Sequence, residues 1–238
     1  MSKSSVKILG YGVDGFDMEQ ALEFAQDNGG QVVTINPEMI LAAQKSPEFS
    51  QIINDAELVI PDGVGVQIGL KILGHKVNRI PGIEFGYSLL QNCAKNNKPV
   101  ALVGAKPEVI ELAQKNLKND IPNLNIVYAH DGYFSDDEAV IKDIIDAKPE
   151  LVLVALGSPK QEFFIKKLKP SLPDAIMVGL GGSFDVWAGV VKRAPKLYQK
   201  LGIEWLYRTI KEPQRIKRIF PTLPLFLLKV LNEKMLRG

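Results

Sequence analysis

Cysteine is nearly absent: the 238-residue chain has one, Cys93, alongside two histidines, His75 and His130. A single cysteine excludes a disulfide framework within the chain and any Cys-based zinc site, and it suits a reducing compartment. Long apolar runs are missing as well. No stretch approaches the roughly 20 apolar residues of a membrane-spanning helix. The opening Met1-Ser2-Lys3-Ser4-Ser5-Val6-Lys7 has no apolar stretch of signal-peptide length, so the expectation is a chain neither secreted by the usual route nor integral to a membrane. G-x-x-x-x-G-K-[ST], G-x-S-x-G and H-E-x-x-H do not occur, which removes the main support for a P-loop enzyme, an α/β-hydrolase or a zincin.

What is present is enough apolar material for a sizeable core, 46% hydrophobic residues against 24% charged ones, and this excludes wholesale disorder. Its length fits one large α/β domain, or one domain with a small appendage. The net charge of +2 conceals an asymmetry. Residues 1–186 hold 17 Lys and Arg against 24 Asp and Glu, whereas residues 187–238 hold 12 against 3. The body is acidic and the tail strongly basic, so the tail is expected to seek anions.

Short β-rich runs alternate with amphipathic stretches through the body. Strands are expected at Val6–Leu9, Gln31–Ile35, Leu58–Ile60, Val100–Val103, Ile126–Tyr128, Leu151–Ala155 and Ile176–Gly179. Helices are expected at Asp17–Asn28, Pro37–Lys45, Ile83–Asn96, Pro107–Asn119 and Asp136–Ala147, with Ser135 and Glu138 as a capping box. Runs such as Leu151-Val-Leu-Val-Ala155 are apolar at successive positions, as in parallel strands covered on both faces. The pattern predicts an α/β, Rossmann-like fold: a mostly parallel sheet flanked by helices, over residues 1–194. From 195 to 238 it predicts a basic helical appendage that Pro213, Pro221 and Pro224 divide into short pieces.

In open α/β sheets, ligands bind beyond the carboxyl ends of the strands, so a site is expected in the loops there. Gly10-Tyr-Gly12-Val-Asp-Gly15 matches G-x-G-x-x-G ahead of a helix, with Glu38 in the place of a ribose-binding acid. It reads either as a dinucleotide fingerprint, and hence a dinucleotide-dependent oxidoreductase, or as a glycine-rich turn. Thr34-Ile-Asn36-Pro-Glu38 places a hydroxyl and an amide at a strand end; Asn36 is either a helix cap or a ligand contact. Pro61-Asp62-Gly63 is a turn signature, yet Asp62 follows an apolar run that could desolvate it into a base. Arg79 precedes a Pro-Gly turn and is either a surface charge or a phosphate contact. Gly157-Ser-Pro-Lys160-Gln161-Glu162 and Gly179-Leu-Gly181-Gly182-Ser183-Phe184-Asp185 could admit an anion or a sugar, or could be plain strand–helix turns.

Taken in order, these blocks, with Arg79-Ile-Pro-Gly82, Asp131-Gly-Tyr-Phe134, Arg193-Ala-Pro195, Gly202-Ile-Glu-Trp-Leu-Tyr-Arg208 and Glu212-Pro-Gln-Arg215, resemble the WecG/TagA/CpsF family of bacterial glycosyltransferases over nearly the whole chain. The resemblance implies an inverting transfer of N-acetylmannosamine, its uronic acid or a related sugar. The donor would be a UDP-sugar and the acceptor undecaprenyl-diphosphate-linked N-acetylglucosamine, in the synthesis of wall teichoic acid, common antigen or another surface polysaccharide. Carried over by position, Asp62 becomes the catalytic base and Thr34 its active-site neighbour. Asn36, Arg79, Gln161, Gly181 and Gly182 become substrate-binding residues, and Arg208, Arg215 and Arg218 become the basic residues of the appendage that meet the diphosphate. Ile35-Asn36-Pro37 departs from the family's more usual Pro-Asn order.

No Asp-x-Asp pair is present, so arginine rather than a bridging metal is expected to meet the diphosphate, and no cofactor or metal is expected. The tail is expected to dock on an anionic membrane at the inner, cytoplasmic face, with Leu225, Phe226, Leu228 and Leu231 entering the headgroup boundary. The alternatives are that it packs on the body or makes a homo-oligomer contact. Truncation after Leu206 is expected to leave a folded body. The acidic body argues against nucleic acid as a partner.

Overall fold

The computed structural model describes residues 4–195, 198, 207 and 216–237, with side chains in the last segment from Phe220 onward. The chain opens with an antiparallel hairpin, β1 (Ser5–Ile8) and β2 (Tyr11–Asp14), with Ile8 paired to Tyr11. Leu9 and Gly10 between them both have positive φ, as a two-residue hairpin turn demands. The Gly10/Gly12/Gly15 match is therefore no dinucleotide fingerprint. Gly12 lies inside β2 and no helix opens at the turn, so the oxidoreductase reading is withdrawn.

The remaining strands and helices alternate: α1 (Met18–Asn28), β3 (Gly30–Ile35), α2 (Pro37–Ala43), α3 (Pro47–Asn54), β4 (Leu58–Pro61), α4 (Val64–Ile72), α5 (Gly82–Lys95), β5 (Val100–Gly104), α6 (Pro107–Asp120), β6 (Ile126–His130), α7 (Asp137–Ala147), β7 (Leu151–Ala155), α8 (Lys160–Leu168), β8 (Ile176–Gly179), α9 (Ser183–Trp187) and α10 (Ile216–Arg237). Six strands form one sheet in the order β4-β3-β8-β7-β5-β6, and every neighbouring pair is parallel. Alternation of side chains along each strand divides the core in two. Val32, Leu58, Ile60, Leu102, Leu153 and Val178 face α1, α5, α6 and α9. Val33, Ile35 and Val59 face α2, α3, α4 and α10, while Val103, Val154 and Met177 face α7 and α8. β3, β4, β5, β7 and β8 are buried on both faces, which is why they read as nearly unbroken apolar runs, whereas the edge strand β6 is only part-buried.

Local chemistry places most helix starts. Asp17 caps α1 in a reciprocal box with Gln20, and Asn36 accepts from the Met39 N–H at the start of α2. α7 is capped by Asp136, which accepts from Glu138 and Ala139, rather than by Ser135. α4 carries Gly65 and Gly69 and lacks helix propensity. Its glycines serve close packing instead: a Cβ on Gly65 would stand 2.6 Å from Pro37 and 2.9 Å from Leu223.

α10 corrects the tail in two ways. Its 22 residues run through Pro221 and Pro224 as one helix. The prolines remove two N–H donors, but both rings are exposed, so water can meet the carbonyls they orphan. Packing outweighs the loss: Phe226 and Val230 are fully buried in the core with α2 and α4. Phe226 therefore cannot enter a headgroup boundary while α10 is docked. Glu233 accepts from the Leu9 N–H at 2.9 Å and clips the helix to the hairpin turn. Truncation after Leu206 would strip this cover from the core, so the body it leaves is not an intact fold. The helix expected at Lys196–Lys211 lies almost wholly outside the described residues, as do Arg208 and Arg215. Arg218 is described only as backbone in the first turn of α10.

Candidate functional site

At the carboxyl edge of the sheet, β3 and β8 lie side by side but send the chain to opposite faces, β3 into α2 and β8 into α9. Such a divergence leaves a crevice between the loops. Thr34, one residue before the end of β3, is buried, and its hydroxyl donates to the Gly179 carbonyl at 3.0 Å. With its hydrogen committed, Thr34 can meet a ligand only as an acceptor.

Asp62 follows β4, the neighbour of β3, and is half-buried. Its Oδ1 accepts from the Gly82 N–H at 3.0 Å, and its backbone carbonyl accepts from Arg79 Nε at 2.7 Å. The first bond orients the carboxylate; the second steadies the turn that carries it. Arg79 is thus a buttress of the Asp62 loop through Nε, a role that a reading of Arg79 as a phosphate contact alone had missed. Gly82 closes the group from α5, where a Cβ would come within 3.0 Å of Thr34 Cγ2. Asn36 is half-buried and abuts Gly63, with a Cβ on that glycine 3.3 Å from its own. Its Oδ1 is used as the cap of α2, so the capping reading holds for that atom.

Gln161 opens α8, and its carboxamide reaches across to the β8 loop. Its Oε1 accepts from the Gly181 N–H at 3.0 Å, and its Nε2 donates to Glu162 Oε1 at 2.7 Å. Gly181 has φ +50, which favours glycine, and a side chain there would meet open space. Gly182 is exposed beside it. Glu162 is only 2% exposed, and burial pushes its carboxyl above the usual carboxylate range. No single-residue signal had marked Glu162 as functional; an acid at an apolar helix position was the one hint.

Thr34, Asn36, Asp62, Arg79, Gln161, Gly181 and Gly182 therefore come together over four adjacent strand ends, those of β4, β3, β8 and β7. They join through Gly82 and Gly179, whose contributions are backbone atoms. A cavity of about 360 Å³ lies elsewhere, between the hairpin and the start of β4, lined by Lys7, Asp14 and Asn54. It is remote from these loops. Among the described residues, no group of three or more His, Cys, Asp and Glu converges as metal ligands would.

The model for the glycosyl transferase WecG/TagA/CpsF family matches residues 6–238, essentially the whole chain, and the chain belongs to that family. It is a glycosyltransferase of surface-polysaccharide synthesis, taking a nucleotide-sugar donor and a sugar acceptor. No helix among the described residues is long and apolar enough to cross a membrane.

Proposed function

From that membership we propose that the chain transfers N-acetylmannosamine, or its uronic acid, from a UDP-sugar to undecaprenyl-diphosphate-linked N-acetylglucosamine, with inversion. The observation that supports it most is the Asp62 carboxylate, held by the Gly82 N–H at the mouth of the β3/β8 crevice beside Thr34. In a single displacement the acceptor hydroxyl oxygen attacks the anomeric carbon. Its proton passes to Asp62, and the bond to the UDP oxygen breaks with its electron pair leaving on the diphosphate. A base fixed by a backbone amide needs no reorganisation as the proton arrives. Arg79 and the tail arginines Arg208, Arg215 and Arg218 would balance the charge of the departing UDP, so the reaction is proposed to need no metal or other cofactor.

The membrane part of the proposal rests on α10. At 100° per residue, Phe220, Leu225, Leu228, Leu231, Met235 and Leu236 share its outward side, and all are exposed. Lys229 borders that stripe on one side. An apolar stripe with a bordering lysine, on a tail rich in cations, matches an anionic bilayer, whose surface attracts each cation near it by about 1 kcal/mol. In this proposal Leu225, Leu228 and Leu231 enter the headgroup boundary and Phe226 does not. The inner face of the bacterial cell membrane, where lipid-diphosphate acceptors are presented, is the proposed location, and residues 195–238 are proposed as the contact region.

The deciding experiment incubates the chain with a panel of UDP-sugars and a short-chain lipid-diphosphate N-acetylglucosamine, with and without EDTA, and reads product mass. The expected product gains one N-acetylhexosamine and survives EDTA. Absence of transfer from every UDP-sugar overturns the donor assignment, and loss in EDTA restored by Mg²⁺ overturns metal independence.

A further inference from the structure

Gln161 and Glu162 are 3% and 2% exposed, yet neither is apolar, and neither pairs with a cation among the described residues. A carboxamide is two-sided, donating at nitrogen and accepting at oxygen. The Gly181 N–H fixes which end is oxygen, and the Glu162 carboxylate fixes which end is nitrogen. Gly179 presses on the same amide, since a Cβ there would stand 2.5 Å from Nε2. Glu162 meanwhile buries its whole carboxylate, with Oε2 lacking a well-formed hydrogen bond among the described residues although the Ser158 side chain also interacts with the group, a cost that an apolar residue at this position would avoid. The Gln161 amide is thus held on three sides by protein.

We propose that Glu162 is a positioning residue: by holding the Gln161 carboxamide it tethers the Gly181 N–H and keeps the Gly179–Ser183 turn in the one shape that receives the donor sugar. Gln161 then serves the site through this turn. Released from the tether, Gly181 and Gly182 would sample both signs of φ, and the wall of the crevice would lose its form. The inference rests on reading the β3/β8 crevice as the sugar site. The rival account makes Glu162 only a favourable charge in the first turn of α8.

The test uses the full chain and the variants Glu162→Ala, Glu162→Gln, Gln161→Ala and the double alanine variant. Amide hydrogen exchange at Gly181 reads the tether without reference to catalysis. It should quicken about tenfold in either alanine variant, the worth of about one buried hydrogen bond, and stay native in Glu162→Gln, whose Oε1 can still accept. With UDP-N-acetylmannosamine as probe, Glu162→Ala should raise the donor KM about tenfold while kcat stays within about threefold. The double variant should be no worse than either single one. Should Glu162→Ala not fold, Glu162→Asp, which withdraws the carboxylate by one methylene, takes its place. Unchanged exchange at Gly181 overturns the tether even if no donor is turned over. A lower melting temperature with an unchanged KM overturns the positioning role and leaves the helix-charge account.

Discussion

The strand-end crevice and α10 are built on opposite rules. In the crevice, polar atoms are withdrawn from water and committed to named partners: Thr34 to Gly179, Asp62 to Gly82, Gln161 to Gly181. On the outer side of α10, apolar side chains stand in water with no partner among the described residues, from Phe220 to Leu236. The inner side of the same helix is ordinary core, with Phe226 and Val230 fully buried. Function concentrated in single atoms should fail at one substitution. Function spread over a surface should erode by increments.

The largest effect is expected at Asp62. Asp62→Asn keeps an oxygen for the Gly82 N–H but cannot take a proton, so turnover should fall by roughly 10²–10⁴-fold with the melting curve unchanged. Near-native turnover would return Asp62 to the part of a turn residue and remove one side of the contrast. Next comes the core side of α10. Phe226→Ala should cost about 3–5 kcal/mol of stability, as for other large-to-small changes at buried aromatic positions, measured by urea unfolding. A cost under 1 kcal/mol would mean the helix is not part of the core.

A smaller effect is expected on the outer side. Leu225, Leu228 and Leu231 replaced together by Ser should leave stability within about 1 kcal/mol, because the three are already exposed. Flotation with anionic vesicles at low salt should nevertheless be lost. If native protein ignores such vesicles and instead forms a dimer that the triple variant abolishes, the stripe is an interface between copies of this chain.

The smallest effect sharpens the crevice side. The Glu162 carboxyl titrates above its unfolded value, so the folded state holds its proton more tightly. Native stability should therefore decline as pH rises from the ordinary carboxylate range through the folded value. Glu162→Gln has no such proton to lose. Its stability advantage should widen across that window and level off above it. An advantage that is constant with pH would show that burial does not disfavour the charged form of Glu162.

Much of this was legible in the residues themselves. The parallel strands announced themselves as Leu151–Ala155 and Ile176–Gly179 do, because burial on both faces demands apolar residues at successive positions. Asp17 and Asn36 marked helix starts through hydrogen bonds made within a few residues of chain, and Pro107 through its fixed φ at a first helical turn. Membership of the glycosyltransferase family was legible as well, since it is carried by short blocks in a fixed order. Of the elements missed, α4 owes its form to residues distant in the chain, whereas β2 and α3 have local causes, a two-residue hairpin turn and the Ser46 cap. β2 is a strand because it pairs with β1, although its glycines resemble a nucleotide loop. α4 is a helix whose glycines make room for Pro37 and Leu223 rather than for water.

α10 and the crevice show the same division at its sharpest. Sequence alone determined that the tail is basic and apolar on a helical period. Which apolar face turns inward was decided by the complementary surface of α2, α4 and the hairpin, which burial of Phe226 and Val230 fills. Likewise, sequence alone determined that Thr34, Asp62, Gln161 and Gly181 lie at or just beyond strand ends. That they share one network depends on the strand order β4-β3-β8-β7, which sets ends from distant parts of the chain side by side. No local propensity encodes that order. It follows from burying the whole set of apolar faces at once, and the hydrogen bonds of the site form only where that packing has already brought their donors and acceptors together.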